Sequence, residues 1–255
     1  MASEHPVADW RVLGASVQGS SHVKLGTGCQ DAHGYRRLAC GTVVMAIADG
    51  AGSACCSAEG AVVAVQTGLS SLAVALASGD GGISMECTIR QAFAHTAVSL
   101  AELAGRTPER SIGDYATTLS LVVLSADQIG IGQIGDGAVV AATADGAFRT
   151  LTRDSRGEYL NETHFVTEPQ YGTELYVAVE PAAAITGIVA MTDGMEILAV
   201  NHSDNTPHHP FFTPLLRFVR SEAAAEAELA AFLASERVCA RTDDDKTLVI
   251  AVRLE

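Results

Sequence analysis

The sequence has few basic residues: 16 Lys and Arg stand against 30 Asp and Glu, which gives a formal net charge of −14. Proteins that bind nucleic acids use Lys and Arg to neutralise phosphates, and anionic membrane surfaces attract basic segments in the same way. The shortage of basic residues therefore argues against nucleic acid and against a membrane surface as partners.

The sequence also lacks a recognisable segment for export or for membrane insertion. Residues 1–10 contain no basic stretch followed by an apolar core, as a signal peptide would. The most apolar run, residues 58–77, is interrupted by Glu59 and Gln66 and is not expected to span a bilayer. We therefore expect a cytoplasmic protein.

None of the six cysteines stands in a Cys-x-x-Cys pair. Cys55 and Cys56 are adjacent, a spacing that suits neither an ordinary disulfide nor a zinc cage. We expect free thiols in a reducing compartment.

What the chain does have is apolar content, with 48% hydrophobic and 18% charged residues, so it is not intrinsically disordered. The length and the absence of a linker predict a single domain over residues 1–255.

Apolar runs predict strands over 10–18, 42–48, 116–124, 128–134, 138–143, 147–151, 184–192 and 246–254. Helices are predicted over 53–78, 84–104 and 215–234, and a loop over 201–214. Short links between consecutive strands favour antiparallel pairing, and the class is α+β with sheet and helix layers.

Several aspartates stand where predicted apolar strands stop, and three of them are followed by glycine. They are Asp31, Asp49, Asp136, Asp193 and the run Asp243–Asp245. Carboxylates on strand ends are held rigidly and can converge from distant positions, and Mg²⁺ and Mn²⁺ prefer oxygen ligands. Any single Asp-Gly pair is also a common tight turn, which is how we interpret Asp145-Gly146. The set as a whole favours a metal site.

These aspartates lie in segments that resemble the motif series of the type 2C protein phosphatases, the metal-dependent Ser/Thr phosphatases. The segments are Gln30-Asp31, Ile47-Ala48-Asp49-Gly50, Ala116-Thr117-Thr118-Leu119, Gly135-Asp136-Gly137, Thr192-Asp193-Gly194 and Asp244-Asp245-Lys246-Thr247. They occur in the family's order and span residues 14–252. Further segments, among them Gly50-Ala51-Gly52-Ser53, resemble a short bacterial branch that is encoded beside a kinase and a von Willebrand A-type protein.

The resemblance implies a four-layer αββα sandwich, in which two mainly antiparallel sheets are flanked by helix pairs. It also implies two divalent cations, Mn²⁺ or Mg²⁺, and a third, weaker one. The expected metal ligands are Asp49, Gly50 through its carbonyl oxygen, Asp136, Asp193 and Asp244. Asp31 is expected to act in catalysis by orienting a metal-bound water. Two metals activate water for direct attack on a phosphomonoester, so no Cys or Ser nucleophile is needed.

The sequence departs from the family at a position that matters for substrate binding. The family usually has an Arg five residues before the match to Asp31, and this chain has Gly26 there and no Arg in residues 19–28. The nearest replacements are His22 and Lys24. His22, our candidate for holding the substrate phosphate, could donate to a phosphate oxygen, above all when protonated. The alternatives are that His22 is an ordinary loop histidine and that Lys24 is a solvated surface lysine.

The predicted function is a metal-dependent phosphatase of phosphoserine and phosphothreonine in proteins. Two alternatives stay open: a catalytically silent pseudophosphatase that acts as a binding module, and a hydrolase of small phosphoesters. The presence of every matched aspartate favours an enzyme. Besides a phosphoprotein substrate, the resemblance suggests a Ser/Thr kinase and a von Willebrand A-type protein as partners. Residues 153–176 are expected to form a flap-like segment beside the site.

Overall fold

Two five-stranded antiparallel sheets, each covered on its outer face by helices, form the centre of the molecule. The computed structural model describes residues 9–77, 83–153, 163–201, 206–221 and 223–254. The predicted α+β class and the four-layer αββα arrangement are therefore confirmed.

The first sheet contains both the first and the last strand of the chain. In order across the sheet, its strands are β1 (Trp10–Val17), β12 (Lys246–Arg253), β9 (Ile185–Met191), β6 (Ala138–Thr143) and β7 (Phe148–Thr150). Every neighbouring pair is antiparallel. Because β12 lies between β1 and β9, segments that are far apart in the sequence end beside one another.

The second sheet is built largely from the first half of the chain. Its strands, in order, are β2 (Asp31–Arg37), β3 (Val43–Asp49), β4 (Leu119–Leu124), β5 (Gln128–Ile134) and β8 (Tyr176–Pro181). A separate two-stranded ribbon pairs β10 (Val200–Asn201) with β11 (Thr206–Pro207).

Helices cover the outer face of each sheet. The second sheet packs against α2 (Ser57–Ala77) and α3 (Met85–Gly105). The first sheet packs against α5 (Asp193–Ala199), α6 (His209–Arg220), α7 (Glu226–Leu233) and α8 (Glu236–Cys239). Three short elements complete the set: α1 (Ser20–Leu25), a 3₁₀ helix (Ile112–Tyr115) and α4 (Tyr171–Glu174).

The central strands are apolar on both faces because each face meets a packed layer. In β3, Met45 and Ile47 face the other sheet, whereas Val44 and Ala46 face the helices. This alternation follows from the two-residue period of a strand. It explains why the sequence shows continuous apolar runs here rather than alternating ones.

Helix α2 is the one described helix that is long and apolar enough to cross a membrane by length and composition. Its small residues pack instead against α3 and the second sheet, in a face that includes Gly60, Ala61, Ala64 and Gly68. The helix is thus used as a core helix of the sandwich.

The predicted loop over 201–214 and the predicted helix over 215–234 are wrong in detail. Helix α6 already begins at His209, with Pro210 in its first turn, where a missing backbone N–H costs nothing because that N–H has no helical partner. The predicted helix is divided into α6 and α7. A proline such as Pro210 is therefore compatible with the first turn of a helix as well as with a loop.

The sequence analysis did not predict α1, β2 and α5, which carry residues of the site, nor β8 at the edge of the second sheet. Asp31 therefore begins a strand instead of ending one, and Asp193 begins a helix. Of the predicted flap over 153–176, residues 154–162 lie outside the described residues, and its last part forms α4.

Candidate metal centre

Two aspartates face each other across neighbouring strands of the second sheet. Asp31 opens β2 and Asp49 closes β3, and the antiparallel register pairs them directly. Like charges in directly opposed positions are destabilising when nothing lies between them. The structure thus brings together two residues that the sequence singled out in separate motifs.

Two further aspartates come from the first sheet. Asp193 stands two residues after β9, and Asp244 stands two residues before β12, the neighbour of β9. Burial raises the pKa of Asp49 most, and the charges of Asp193 and Asp244 raise it further, so both carboxylates lie near the strand pair. The carboxyl groups of Asp49 and Asp193 are hydrogen-bonded to each other. Four aspartates therefore converge from both sheets.

Glycines allow the close backbone approaches around this cluster. A Cβ at Gly194 would lie 2.0 Å from the carbonyl oxygen of Asp245, a distance that no real contact reaches. A Cβ at Gly50 would lie 2.6 Å from the carbonyl oxygen of Ser57, where α2 begins. The glycines after Asp49 and Asp193 are therefore required by packing as well as suited to a turn.

The electrostatics of the cluster are those of a cation site. Burial, opposed by hydrogen bonds from two threonines and reinforced by neighbouring carboxylates, raises the pKa of Asp31 to about 7. Burial and the charge of Asp136 raise the pKa of Asp193 to about 6. Burial raises the pKa of Asp49 still further, and the negative charges of Asp31 and Asp193 add to this shift. A divalent cation would favour the charged form of each group and reverse these shifts.

Asp31 is buried, and its two oxygens differ. Oδ2 accepts hydrogen bonds from the hydroxyls of Thr192 at 2.8 Å and Thr247 at 2.7 Å. Oδ1 is buried and has no hydrogen-bond partner among the residues that the structure describes. An unpaired buried carboxylate oxygen costs free energy, so a water or a cation is the expected partner of Oδ1.

Asp136 lies in the turn between β5 and β6. Its charge raises the pKa of Asp193, so the two carboxylates interact. Its Oδ2 accepts a hydrogen bond from Thr163 Oγ1 at 2.7 Å. Gly135 adopts a positive φ of 107° in this turn, a conformation that favours glycine. The position fits a weaker cation site next to Asp193.

His22 lies on α1 and contacts the acidic loop before β12. Its Nδ1 is 2.8 Å from Asp245 Oδ2, and its Nε2 is 3.8 Å from Asp244 Oδ1. Lys24, on the same short helix, is exposed. The structure therefore places His22 at the site, where it is fixed by a carboxylate, and Lys24 on the surface.

Asp245 and Lys246 hold the loop that carries Asp244. Asp245 is buried, and its carboxylate accepts backbone N–H bonds from Gly19 and Gln30, both at 2.6 Å. Lys246 is also fully buried, and its Nζ donates to the carbonyl oxygen of Asp244 at 3.0 Å. These bonds tie the start of α1, the start of β2 and the acidic loop together.

Sequence reasoning gave no role to four threonines around the cluster. Thr192 and Thr247 hold Asp31, as described above. Thr117 Oγ1 and Thr118 N donate to the carbonyl oxygen of Asp49 at 2.9 Å and 2.8 Å. All four threonines lie inside the quoted segments, but a threonine that holds a carboxylate or a backbone carbonyl has no sequence signal of its own.

Within the described ranges, no group of three or more His, Cys, Asp and Glu side chains is arranged so that these side chains alone could hold a metal ion. Mg²⁺ and similar hard cations nevertheless bind through one or two carboxylates and keep several waters. An all-oxygen donor set, raised carboxylate pKa values and the unpaired Oδ1 of Asp31 fit such cations. We conclude that the cluster suits hydrated divalent metals.

A family model and one relative both match most of this chain. The family model described as protein phosphatase 2C matches residues 18–234. Serine/threonine-protein phosphatase 3 of Escherichia coli (strain K12) is 36% identical over 96% of this chain and 99% of its own length.

Solved structures share the fold at low sequence identity. Serine/threonine phosphatase Stp1 from Staphylococcus aureus matches with a TM-score of 0.66 and 13% identity, over 100% of both chains. The catalytic domain of the serine threonine protein phosphatase PstP, in complex with two manganese ions, matches with a TM-score of 0.61 and 18% identity, over 96% of this chain and 99% of its own.

Proposed function

Since this chain belongs to the protein phosphatase 2C family, we propose that its carboxylate cluster holds the catalytic metals of the enzyme. Membership makes the chain a metal-dependent protein phosphatase that hydrolyses phosphoserine and phosphothreonine. One observation carries the assignment of the centre. The pKa values of Asp31, Asp49 and Asp193 are all raised, and Oδ1 of the buried Asp31 has no hydrogen-bond partner among the described residues.

The proposed ligands follow the contacts of the cluster. They are Asp49, the carbonyl oxygen of Gly50, Asp193 and Asp244 for two metals, with Asp136 and Asp193 for a third. We propose Mn²⁺ or Mg²⁺, because every donor is a hard oxygen. The PstP structure with two manganese ions supports this choice.

When bound, the metals supply an activated water and neutralise charge on the phosphoryl group. Asp31 positions that water: Thr192 and Thr247 fix Oδ2, which leaves Oδ1 to accept its hydrogen bond. The threonines keep the carboxylate in one rotamer, so its direction is preset before substrate arrives.

His22 is proposed to contact the substrate phosphate in place of the missing arginine. Asp245 fixes the imidazole through Nδ1 at 2.8 Å, on a helix that borders the acidic loop. We expect His22→Ala to raise KM for p-nitrophenyl phosphate. Unchanged kcat and KM would remove His22 from the site.

The remaining proposals concern the setting of the enzyme. We propose that residues 1–255 form a single phosphatase domain with a flap over 153–176, acting in the cytoplasm in signalling on a phosphoprotein. The pairing of β1 with β12 supports one domain, because the two ends of the chain share a sheet. The kinase and the von Willebrand A-type protein stay proposed partners on the likeness to the bacterial branch alone.

The test uses two aspartates of the same Asp-Gly motif. Asp49→Asn should abolish Mn²⁺-dependent hydrolysis of a phosphothreonine peptide and of p-nitrophenyl phosphate. Asp145→Asn, in the exposed turn between β6 and β7, should keep the wild-type rates. Near-normal turnover by Asp49→Asn would refute the proposed centre. Hydrolysis of p-nitrophenyl phosphate without any hydrolysis of the peptide would point to small phosphoesters as substrates.

A further inference from the structure

Two cysteines lie side by side on the surface next to the metal centre. The sulfurs of Cys55 and Cys56 are 3.9 Å apart. Cys55 is exposed and Cys56 is partly exposed, whereas Cys40 and Cys87 are exposed but stand alone. All six cysteines are free, so neither sulfur of the pair is held in a disulfide, although Cys56 also packs against the core under the second sheet.

The surroundings keep Cys55 as a thiol rather than a thiolate. Its Sγ donates a hydrogen bond to Asp114 Oδ1 at 3.1 Å, and this bond raises the pKa of Cys55. Arg110 also donates to this sulfur, and its positive charge opposes the shift without reversing it. A thiol that holds its proton is a slow target for peroxide and for alkylating agents, because these react with the thiolate.

The pair is also poorly shaped for a disulfide. Adjacent Cα atoms across a trans peptide lie about 3.8 Å apart, whereas disulfides usually join Cα atoms about 4.4–6.8 Å apart. A larger atom placed between the sulfurs relaxes this restriction, because it lengthens the bridge. The geometry therefore favours a ligand that bonds to both sulfurs over direct oxidation.

We propose that Cys55 and Cys56 form a dithiol site for trivalent arsenicals, and that its occupation lowers phosphatase activity. In the reaction with an arsenoxide, two S–H bonds and the As=O bond break. Two As–S bonds form, and the oxygen leaves as water with the two thiol protons. Arsenic stays trivalent, so no oxidant or reductant is required.

The site is linked to the metal centre through the short segment that follows Asp49. Cys56 N donates to the carbonyl oxygen of Asp114 at 2.9 Å, and Ala51 N donates to that of Ala116 at 2.9 Å. The backbones of Gly50 and Ser57 also approach closely, because a Cβ added at Gly50 would lie 2.6 Å from the carbonyl oxygen of Ser57. A bridge between the sulfurs turns Cys55 away from Asp114 and pulls on the backbone that carries the Gly50 carbonyl.

The inhibitory half of this proposal rests on the proposed metal centre, whereas binding of the arsenical does not. The test therefore has two readouts on the full chain with Mn²⁺ and phenylarsine oxide as the probe. Intact-mass and peptide mass spectrometry locate the adduct. The rate of p-nitrophenyl phosphate hydrolysis reports the coupling.

We expect one adduct per chain on the 55–56 peptide and loss of most activity, reversed by a dithiol but not by an equal amount of a monothiol. Cys55→Ser should keep the basal rate and lose both the adduct and the inhibition. Cys40→Ser and Cys87→Ser, which remove lone exposed thiols, should behave as wild type.

Three results would overturn the proposal. An adduct that persists in Cys55→Ser, or that maps to another cysteine, would refute the dithiol site. An absence of adduct in the wild type would do the same. An adduct at Cys55 and Cys56 that leaves the rate unchanged would refute the link to the centre, without bearing on whether the chain is a phosphatase.

Discussion

Asp31 is held through one carboxylate oxygen, and the other is left for the chemistry. The hydroxyls of Thr192 and Thr247 both donate to Oδ2. Thr247 N donates in turn to Thr192 Oγ1 at 3.2 Å, so the two threonines also orient each other. Removing one hydroxyl should leave the fold but loosen the direction of Oδ1.

We expect Thr247→Val to lower kcat by about 10–100-fold, the usual effect of losing a partner of a metal-site residue. The buried bond should cost about 1–3 kcal/mol of unfolding free energy. Thr96→Val is the matched control, because Thr96 is fully buried and donates only to Ala92 within α3. Rates and chemical denaturation of both variants check this. Equal rates in the two variants would contradict it.

The raised pKa values also fix the sign of a pH effect on the metal-free protein. The pKa of Asp49 is higher in the folded state than the unfolded value of about 3.9. The folded state thus binds a proton at Asp49 more tightly than the unfolded state does. The stability that this proton binding contributes is lost as the pH rises. The loss of stability should begin above about pH 4, where an unfolded aspartate loses its proton. It should extend beyond pH 7, because the folded pKa values are about 7 for Asp31, about 6 for Asp193 and higher still for Asp49.

Asp49→Asn should accordingly be more stable than the wild type in a chelator at pH 8, with a difference that shrinks towards pH 4. Asp145 has the opposite sign, because a hydrogen bond from Thr143 lowers its pKa. Asp145→Asn should be less stable than the wild type at neutral pH, and this difference should shrink at acidic pH. Denaturation in a pH series measures both. A wild-type advantage over Asp49→Asn at pH 8 would refute the repulsion.

At the scale of elements, the site depends on how closely α5 approaches the loop before β12. Gly194 lies in the first turn of α5 and contacts the Asp245 carbonyl. Asp193 precedes Gly194 on one side of this contact, and Asp244 precedes Asp245 on the other. The distance between the two elements therefore sets the width of the metal centre.

Gly194→Ala should push the two elements apart, because its Cβ would overlap backbone. We expect a higher Mn²⁺ requirement, a large loss of rate and a stability loss of about 1–3 kcal/mol from overpacking. Gly105→Ala, at the end of α3 with open space around it, should be neutral or stabilising by up to about 1 kcal/mol. Mn²⁺ titrations of the rate, with melting curves, distinguish the two. A wild-type Mn²⁺ requirement in Gly194→Ala would refute the role of the contact.

Most central elements could be predicted from the sequence, whereas several that border the site could not. Strand β3 is a continuous apolar run because both of its faces are buried. Helix α1 has no buried residue and is positioned by contacts with the acidic loop, among them the bond from Ser21 N to Asp243 O at 2.9 Å. Local patterns do not encode such contacts. The convergence of Asp49 with Asp193 likewise depends on strand order, which only the motif series suggested.

At the scale of the molecule, the acidic excess has a local component. The chain carries a formal charge of −14, and part of it is gathered where the two sheets meet rather than spread over the surface. Buried carboxylates that repel one another destabilise the folded state when no cation is present. Metal binding should therefore stabilise the whole sandwich, because the ligands come from both sheets.

We expect Mn²⁺ at about 100 times its dissociation constant to add about 2.7 kcal/mol to the unfolding free energy. For a chain of this size that corresponds to a rise in Tm of about 5–10 °C. Asp193→Ala should lose most of the shift, whereas Asp145→Asn should keep it. Na⁺ at matched ionic strength controls for simple screening. An equal shift with Na⁺, or an undiminished one in Asp193→Ala, would mean that the cations act on the surface charge and that the cluster is not their site.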